Sequence, residues 1–167
     1  MAWFALVVTS DRVYRGEKED KLTPLAREYL EERGHLLVYK RVVPNNPFMI
    51  RQAVVDAASR ADVVLVTGGT GLSKRDISID VLESIADRRV PGFGELHRMR
   101  SMESVGLRAI LSRASAYMIG GTLIAVSPGS PDAVRVSLEI LAGIADHVRD
   151  LARGKSHWDA KACGGHT

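Results

Sequence analysis

The segment VLVTGGTGLSKRD, residues 64–76, combines the residue types that proteins use to bind phosphate. Glycines let a backbone approach an anion closely and direct several N–H groups at it, and threonine hydroxyls add donors. The residues of this glycine loop are Thr67, Gly68, Gly69, Thr70 and Gly71. Their spacing matches neither the GxxxxGK[ST] pattern of a P-loop nor the GxGxxG pattern of a dinucleotide-binding fold. The loop therefore predicts an anion site of another kind.

Three charged residues close the same segment. Lys74 and Arg75 would attract a phosphate, whereas the carboxylate of Asp76 would repel it unless a cation lay between them. Mg²⁺ would resolve this conflict, because it is commonly held by one or two carboxylates together with substrate phosphates. Asp76 also has two ordinary interpretations, an ion pair with Arg75 or a cap on the following helix, and the spacing does not choose among the three.

Two other polar turns follow apolar, strand-like runs. The SDR turn consists of Ser10, Asp11 and Arg12, and the SPGSP turn, residues 127–131, contains Pro128, Gly129 and Ser130. Either turn alone is explained by ordinary turn or helix-start chemistry. In open parallel sheets, however, ligands bind outside the carboxyl ends of the strands. We therefore expect the glycine loop and the two turns to form one ligand site.

The elements that would position these turns follow from hydrophobic periodicity. Four apolar runs of strand length lie at residues 3–8, 36–43, 62–67 and 122–127, and most are continuously apolar, as in strands buried on both faces. Helices are predicted to start at Thr23-Pro24, Asn46-Pro47, Ser78 and Ser130-Pro131. This alternation predicts an α/β fold with a mainly parallel sheet, in one domain at residues 1–154 with a poorly ordered tail at 155–167.

Composition narrows the classes of function. The chain has 167 residues and a net charge of +3, with its basic residues spread along the sequence, which favours an enzyme of phosphorylated ligands over a nucleic-acid binder. The one cysteine, Cys163, excludes an intramolecular disulfide and indicates a reducing, cytoplasmic location. The apolar N-terminal run is too short to span a membrane. His157, Cys163 and His166 in the tail follow no zinc-site spacing.

A further polar cluster follows the break at Pro91-Gly92-Phe93-Gly94. Glu95 and Arg98 are three residues apart and would share one face of a helix, either as an ordinary ion pair or as a wall of an anionic pocket. Ser112 and Arg113 follow. The histidines His35, His97 and His147 are interpreted as surface or helix-end residues. The spacing leaves both interpretations of Glu95 and Arg98 open.

Five segments together resemble a known family. They are the SDR turn, TGGTGLSKRDIS at 67–78, VPGFGELHR at 90–98, LSRAS at 111–115 and the SPGSP turn. In this order and spacing they closely resemble the MogA/MoaB-type molybdopterin-binding proteins of molybdenum-cofactor biosynthesis, which include the G domain of gephyrin. The resemblance covers nearly the whole chain and implies a three-layer sandwich, with helices on both faces of the sheet.

The resemblance also implies an activity. Members of this family typically bind molybdopterin and ATP with Mg²⁺, transfer AMP to the phosphate of the pterin and release pyrophosphate, in either a molybdenum or a tungsten pathway. They form trimers, some paired into hexamers, and the metal-insertion enzyme of the pathway is a candidate partner.

By this resemblance, roles are assigned to residues of this chain. Asp76 stands in the place of the catalytic aspartate and is the candidate Mg²⁺ ligand, and the glycine loop with Pro128, Gly129 and Ser130 binds the nucleotide and its phosphates. The molybdopterin-side candidates are Ser10, Asp11, Arg12, Arg75, Glu95, Arg98, Ser112 and Arg113.

One departure from the family pattern bears on catalysis. Active relatives commonly carry an aspartate after the proline that ends the second strand, whereas this chain has Asn45 there. Asparagine can coordinate a cation but brings no charge. Asn45 therefore motivates a second hypothesis, a non-catalytic molybdopterin-binding or scaffold protein. A third, ranked last, is a nucleotide-processing enzyme like the domain found with nicotinamide-nucleotide amidases.

Overall fold

The computed structural model describes residues 1–155. Its strands are β1 (Trp3–Thr9), β2 (Leu36–Val43), β3 (Val63–Thr67), β4 (Arg88–Val90), β5 (Ser115–Ile119) and β6 (Thr122–Ser127). Its helices are α1 (Asp11–Tyr14), α2 (Leu22–Glu31), α3 (Pro47–Ala58), α4 (Ser78–Ile85), α5 (Pro91–Val105) and α6 (Pro131–Ala152), with a 3₁₀ segment at Gly106–Leu111. Within the described residues, no helix combines the length and the apolar character needed to cross a membrane.

The six strands form one sheet in the order β2-β1-β3-β6-β5-β4. The first four are parallel, and β5 and β4 add an antiparallel edge. The four predicted strands are confirmed, but β4 and β5 were not predicted. The signal for β5 was Gly120-Gly121, where two positive-φ glycines separate two apolar runs and make the tight turn of a β5–β6 hairpin.

The sheet is covered on both faces, which confirms the three-layer arrangement. On one face, Phe4 and Leu6 of β1 join a core that includes residues of α2, α5 and α6. On the other face, Ala5 and Val7 join a core that includes residues of α3 and α4. Strands β1, β3 and β6 are buried almost throughout, whereas β2 lies at the sheet edge and is largely half-exposed. The continuously apolar runs therefore mark the inner strands.

Two of the predicted helix starts are confirmed in detail. The side chain of Asn46 accepts a hydrogen bond from the Met49 amide at 3.1 Å, and that of Ser130 accepts one from the Ala133 amide at 3.2 Å. In each case a proline follows the capping residue and occupies the first helical position, where its missing N–H costs nothing.

The start of α2 differs from the prediction. The helix begins at Leu22, and the carboxylate of Asp20 accepts the amides of Leu22 and Thr23, each at 3.0 Å. Thr23 does not cap the helix. Its hydroxyl donates to the same carboxylate. An ionised carboxylate is the stronger acceptor, and Pro24 still lies in the first turn, where amides lack intrahelical partners.

We predict that Asp20→Ala will lower the free energy of unfolding by about 1–2 kcal/mol, because two amides at the start of α2 lose their acceptor. Urea unfolding followed by circular dichroism measures the loss. Glu19→Ala is the control, since it removes a neighbouring carboxylate from the same loop. Equal stability of the two variants would show that Asp20 does not cap α2.

Candidate functional site

The carboxyl ends of four parallel strands meet at one edge of the sheet. Thr9 lies beside Val43 in the register, and Thr67 lies beside Val8 and Ser127. Strand β1 has β2 on one side and β3 on the other, so the chain changes direction across the sheet at this point. Such switch points are where α/β sheets bind ligands. The structure therefore brings the SDR turn, the glycine loop and the SPGSP turn to a common edge.

Close packing requires glycine at three positions of the loop. Gly68 and Gly69 have φ values of +90° and +72°, and a Cβ on either would collide with the Thr9 carbonyl oxygen or the Ser78 hydroxyl, respectively. A Cβ on Gly71 would lie 2.6 Å from a carboxylate oxygen of Asp76. These glycines therefore hold β3 against β1 and seat Asp76 against the loop.

Arg113 holds the glycine loop in place through hydrogen bonds. Its guanidinium donates to the Gly71 carbonyl at 3.1 Å, to the Asp76 carbonyl at 2.7 Å and twice to the Asp80 carboxylate at 3.0 Å. Its backbone amide donates to the Thr70 carbonyl at 2.9 Å. The hydrogen bonds from Arg113 lower the pKa of the Asp80 carboxyl, and those to Asp80 raise the pKa of Arg113. Four of its five N–H donors are engaged, so Arg113 shapes the loop that carries Asp76.

Arg98 has a similar structural role. Its guanidinium donates to the carbonyl oxygens of Ser112 at 3.1 Å and Ala114 at 2.7 Å. Glu95 is exposed, and no ion pair joins it to Arg98 among the described residues. Of the two interpretations left open, the ordinary ion pair is therefore not formed. Arg98 instead fixes the chain segment that presents the side chain of Ser112.

Of the three histidines interpreted as surface or helix-end residues, His147 is exposed but His35 and His97 are buried. His97 contacts the Ala133 carbonyl through Nε2 at 3.1 Å and so links α5 to α6, and burial lowers its pKa. Nδ1 of His35 accepts the Ala2 amide at 3.1 Å. Each ring satisfies a backbone group in the core, which its position in the sequence did not indicate.

Asp11 connects the strand ends to the glycine loop. One of its carboxylate oxygens accepts the Asn45 backbone amide at 2.9 Å, and the other accepts the Asn45 side-chain amide at 3.2 Å. Arg75 forms an ion pair with the same carboxylate. The hydrogen bond from the Asn45 backbone, followed by that from its side chain, lowers the pKa of Asp11, so this residue is ionised at neutral pH. Asp76 follows Arg75 in the chain, and its carboxylate accepts a hydrogen bond from the Ser73 amide at 3.0 Å.

Four buried side-chain oxygens in residues 1–155 have no hydrogen-bond partner. They are Thr9 Oγ1, Asn45 Oδ1, Thr67 Oγ1 and Ser78 Oγ. Thr9 and Thr67 are the last residues of β1 and β3, and Asn45 follows Pro44 at the end of β2. Ser78 is the first residue of α4, and its amide contacts the glycine loop. Buried polar groups are nearly always paired, and leaving one unpaired costs about 1–3 kcal/mol. Their concentration at this edge is the signature expected of a polar ligand site.

Three cavities open around these turns. One of about 350 Å³ is lined by Thr9, Ser10, Thr67, Gly129 and residues 18–22. A second, of about 450 Å³, adjoins it and is lined by Asp11, Asn45, Arg12, Arg15 and Arg75. The third, of about 430 Å³, is lined by Ser112, Ser130, Asp132, Arg108 and the α5 face near His97. The SPGSP turn contributes to the first and third cavities, so it lies between two sites of ligand size.

Sequence reasoning did not select four basic residues of these cavities, among them Arg15, which follows α1 and lines the second cavity. Lys18 and Lys21 line the first cavity and Arg108 the third. Lys18 and Lys21 lie in the loop between α1 and α2, and Arg108 lies in the 3₁₀ segment after α5. Neither segment has hydrophobic periodicity that would place its side chains, so the sequence carried no signal for them.

The oxygen donors at this edge fit a hard cation such as Mg²⁺. Asp76 offers a carboxylate and Asn45 an unpaired amide oxygen, which are the ligand types that Mg²⁺ prefers. No cluster of three or more acidic, histidine or cysteine side chains that could hold a metal occurs in the part of the chain that the structure describes. The side chains of Asp76 and Asn45 would leave the other ligand positions of a bound ion to water and to substrate phosphates. His157, Cys163 and His166 lie outside the described residues.

We predict that Gly68→Ala will destabilise the protein more than Gly34→Ala. Both glycines have positive φ, +90° and +73°, but only the Cβ at residue 68 would meet another atom. The backbone strain at Gly34 costs about 1–2 kcal/mol, and the collision with Thr9 should add about 1–3 kcal/mol. Urea unfolding compares the variants. Equal losses would contradict the close packing of β3 against β1.

Comparison with known proteins agrees with this geometry. Residues 5–147 match the family model described as "Probable molybdopterin binding domain". The molybdopterin adenylyltransferase of Pyrococcus furiosus is 38% identical over 155 residues, which are 90% of each chain. Molybdenum cofactor biosynthesis protein B of Escherichia coli is 40% identical over 137 residues, 81% of this chain and 79% of that protein.

A solved structure shows the same fold. The tungsten cofactor synthesizing protein MoaB from Pyrococcus furiosus matches with a TM-score of 0.83 and 37% identity, covering 92% of this chain and 98% of that one. The glycine loop, the two turns that meet it and the match over nearly the whole chain lead to one assignment. The chain belongs to the molybdopterin-binding family of molybdenum-cofactor biosynthesis.

Proposed function

We propose that this protein is a cytoplasmic molybdopterin adenylyltransferase that uses ATP and Mg²⁺. The observation that carries the proposal is the set of four unpaired buried oxygens at the edge where the glycine loop meets the SDR and SPGSP turns. Adjoining cavities provide room for two ligands there. The similarity to the Pyrococcus furiosus adenylyltransferase supports the reaction type.

The reaction is a nucleotidyl transfer. An oxygen of the molybdopterin phosphate attacks the α-phosphorus of ATP, and a P–O bond forms while the bond from that phosphorus to the β-bridging oxygen breaks. Pyrophosphate leaves with the electron pair. The attacking phosphate is already anionic, so no general base is needed. The protein's contributions are to position two polyanions and to neutralise the charge of the leaving group.

The cavities suggest how the ligands are divided. The phosphates of ATP would lie along the glycine loop, where Thr9, Thr67 and backbone amides offer donors. Arg12 and Arg75 line the neighbouring cleft and would receive the charge of the pyrophosphate group or of the pterin phosphate. The third cavity, with Ser112 and Ser130 on its wall, would receive the pterin.

This division revises three of the molybdopterin-side assignments. Arg98 and Arg113 would support the pocket walls through their bonds to backbone carbonyls instead of contacting the pterin. Asp11, which faces Asn45 and Arg75, would act on neighbouring residues. Asp76 and Asn45 would hold Mg²⁺, which would neutralise charge on the pyrophosphate as it leaves.

A second function is favoured by one specific observation. Asn45 brings no charge to a position where a carboxylate would strengthen metal binding, and its amide is engaged with Asp11. A non-catalytic molybdopterin-binding or scaffold protein would tolerate the missing charge at residue 45. Isothermal titration calorimetry separates the two functions, because the scaffold would bind molybdopterin without binding ATP.

We predict that Asp76→Asn will reduce molybdopterin-dependent pyrophosphate release by at least about 10²-fold, because a principal charged ligand of the ion is lost. A coupled pyrophosphate assay with authentic molybdopterin and Mg²⁺ measures the rate. The melting temperature verifies that the variant folds. Asp56→Asn is the matched control, since Asp56 pairs with Arg41 on the half-exposed side of α3. Absence of turnover in the unmodified protein would refute the proposed function.

The proposal includes a homo-oligomer, either a trimer or a hexamer. The C-terminal half of α5 and the 3₁₀ segment carry apolar side chains that are more than half exposed: Met99, Leu107, Ile110 and Leu111. Contiguous apolar patches of this kind mark protein interfaces. A second copy of the chain is the partner that the family resemblance implies.

We predict that Leu107→Asp will shift the protein from oligomer to monomer, because it places a charge at the most exposed of these four apolar positions. Sedimentation velocity at several protein concentrations measures the change. Phe48→Asp is the control, since Phe48 is more exposed than Leu107 but lies on α3. An unmodified protein that sediments as a monomer would exclude the oligomer.

A further inference from the structure

The side-chain amide of Asn45 is held in one orientation. Asp11 is a carboxylate and can only accept hydrogen bonds, so the nitrogen of the amide must face it, at 3.2 Å from the carboxylate oxygen. The reverse orientation would place two oxygens against each other. The backbone amide of Asn45 donates to the other carboxylate oxygen at 2.9 Å, which fixes the carboxylate itself. The contact between the two residues therefore decides which atom of Asn45 is left over.

The remaining atom is a buried carbonyl oxygen without a partner. Asn45 Oδ1 is one of the four unpaired oxygens in residues 1–155, and Asn45 and Asp11 both line the cleft of about 450 Å³. An amide oxygen is a good ligand for a hard cation. Arg75 forms an ion pair with the same Asp11 carboxylate. Because Arg75 precedes Asp76 in the chain, this pair brings the residues that follow the glycine loop towards Asn45.

We propose that Asp11 is a positioning residue that orients Asn45 so that its carbonyl oxygen serves as a neutral ligand for Mg²⁺. The inference rests on the proposed function, because the cation is the one that accompanies ATP. Asp11 does not touch the ion in this proposal. It acts through Asn45, and its negative charge contacts the side chain that supplies the oxygen ligand.

The pair explains how an asparagine can serve at this position. An aspartate at residue 45 opposite Asp11 would place two carboxylates about 3 Å apart, and like charges at that separation favour protonation of one of them. The Asp11–Asn45 pair keeps one negative charge and one oxygen ligand without this repulsion. The exchanged pair, with asparagine at 11 and aspartate at 45, would keep the same charge and also offer an oxygen ligand at 45.

The test measures metal affinity directly. Mn²⁺ replaces Mg²⁺, and its binding in the presence of α,β-methylene-ATP, which cannot transfer AMP, is followed by electron paramagnetic resonance. We expect Asp11→Asn to weaken Mn²⁺ binding by about tenfold, a typical effect of losing a group that orients a metal ligand. With asparagine at residue 11, its amide can donate to Asn45 Oδ1 and occupy the ligand atom. The exchanged double variant, Asp11→Asn with Asn45→Asp, should regain at least the original affinity.

The control and a second readout separate positioning from a merely structural role. Glu17→Gln removes the same charge from the nearby loop, where Glu17 pairs with Arg15, and should leave Mn²⁺ affinity unchanged. In a ¹⁵N-labelled sample, bound Mn²⁺ should broaden the side-chain amide signal of Asn45, and Asp11→Asn should reduce that broadening at equal total Mn²⁺. A purely structural effect would lower the melting temperature and would not be reversed by the exchange.

The outcomes distinguish this inference from the proposed function. If the unmodified protein binds Mn²⁺ with the nucleotide but Asp11→Asn binds it equally well, the positioning role is refuted and the proposed function stands. Failure of the exchanged variant to regain affinity also refutes it. If the unmodified protein binds neither nucleotide nor Mn²⁺, both proposals fail.

Discussion

The contact between Gly68 and the carbonyl oxygen of Thr9 is the constraint on which the candidate site depends. It lets the ends of β1 and β3 lie side by side without a side chain between them, and the Gly68 amide donates to the Ser127 carbonyl of β6 at 2.8 Å. Three strand ends are thus joined at one point. The turns that follow them have no freedom to separate, and their hydroxyls and amides converge as a result. Packing of the backbone, which precedes any ligand, creates the site.

The arginines around this point divide into two groups by what they contact. Arg98 and Arg113 donate mainly to carbonyl oxygens and hold the walls in place. Arg12 and Arg75 line an open cleft, and the Arg75 side chain is 72% exposed. A guanidinium engaged with backbone cannot easily turn to a substrate, because each carbonyl that it left would be unpaired. Arg98 and Arg113 therefore build the walls of the site, whereas Arg12 and Arg75 can bind a ligand.

Much of this arrangement was predictable from the sequence, and the failures have physical causes. Continuous apolar runs predict buried strands. Asn46-Pro47 and Ser130-Pro131 predict helix starts, because each places a capping side chain directly before a proline. The strand β4 has only three residues, too few for a clear pattern, whereas β5 has a short apolar run that the Gly120-Gly121 turn marks as part of a hairpin. Asp20 replaced Thr23 as the cap of α2 because the helix begins one residue before Thr23, and the Asp20 carboxylate can reach the amides of Leu22 and Thr23. The bonds of Arg98 and Arg113 join residues 14 to 42 positions apart, and no local pattern encodes them.

The same limit applies to Asn45. In the sequence it is a substitution that removes a charge, and considered alone it weakens the case for catalysis. In the structure it faces a carboxylate 34 positions earlier, so the charge is close to the site but carried by another residue. Metal sites respond to the charge and oxygen atoms of the whole local environment, including groups that orient the ligands. A neutral residue at a ligand position is therefore compatible with catalysis when its neighbour supplies both the charge and the orientation.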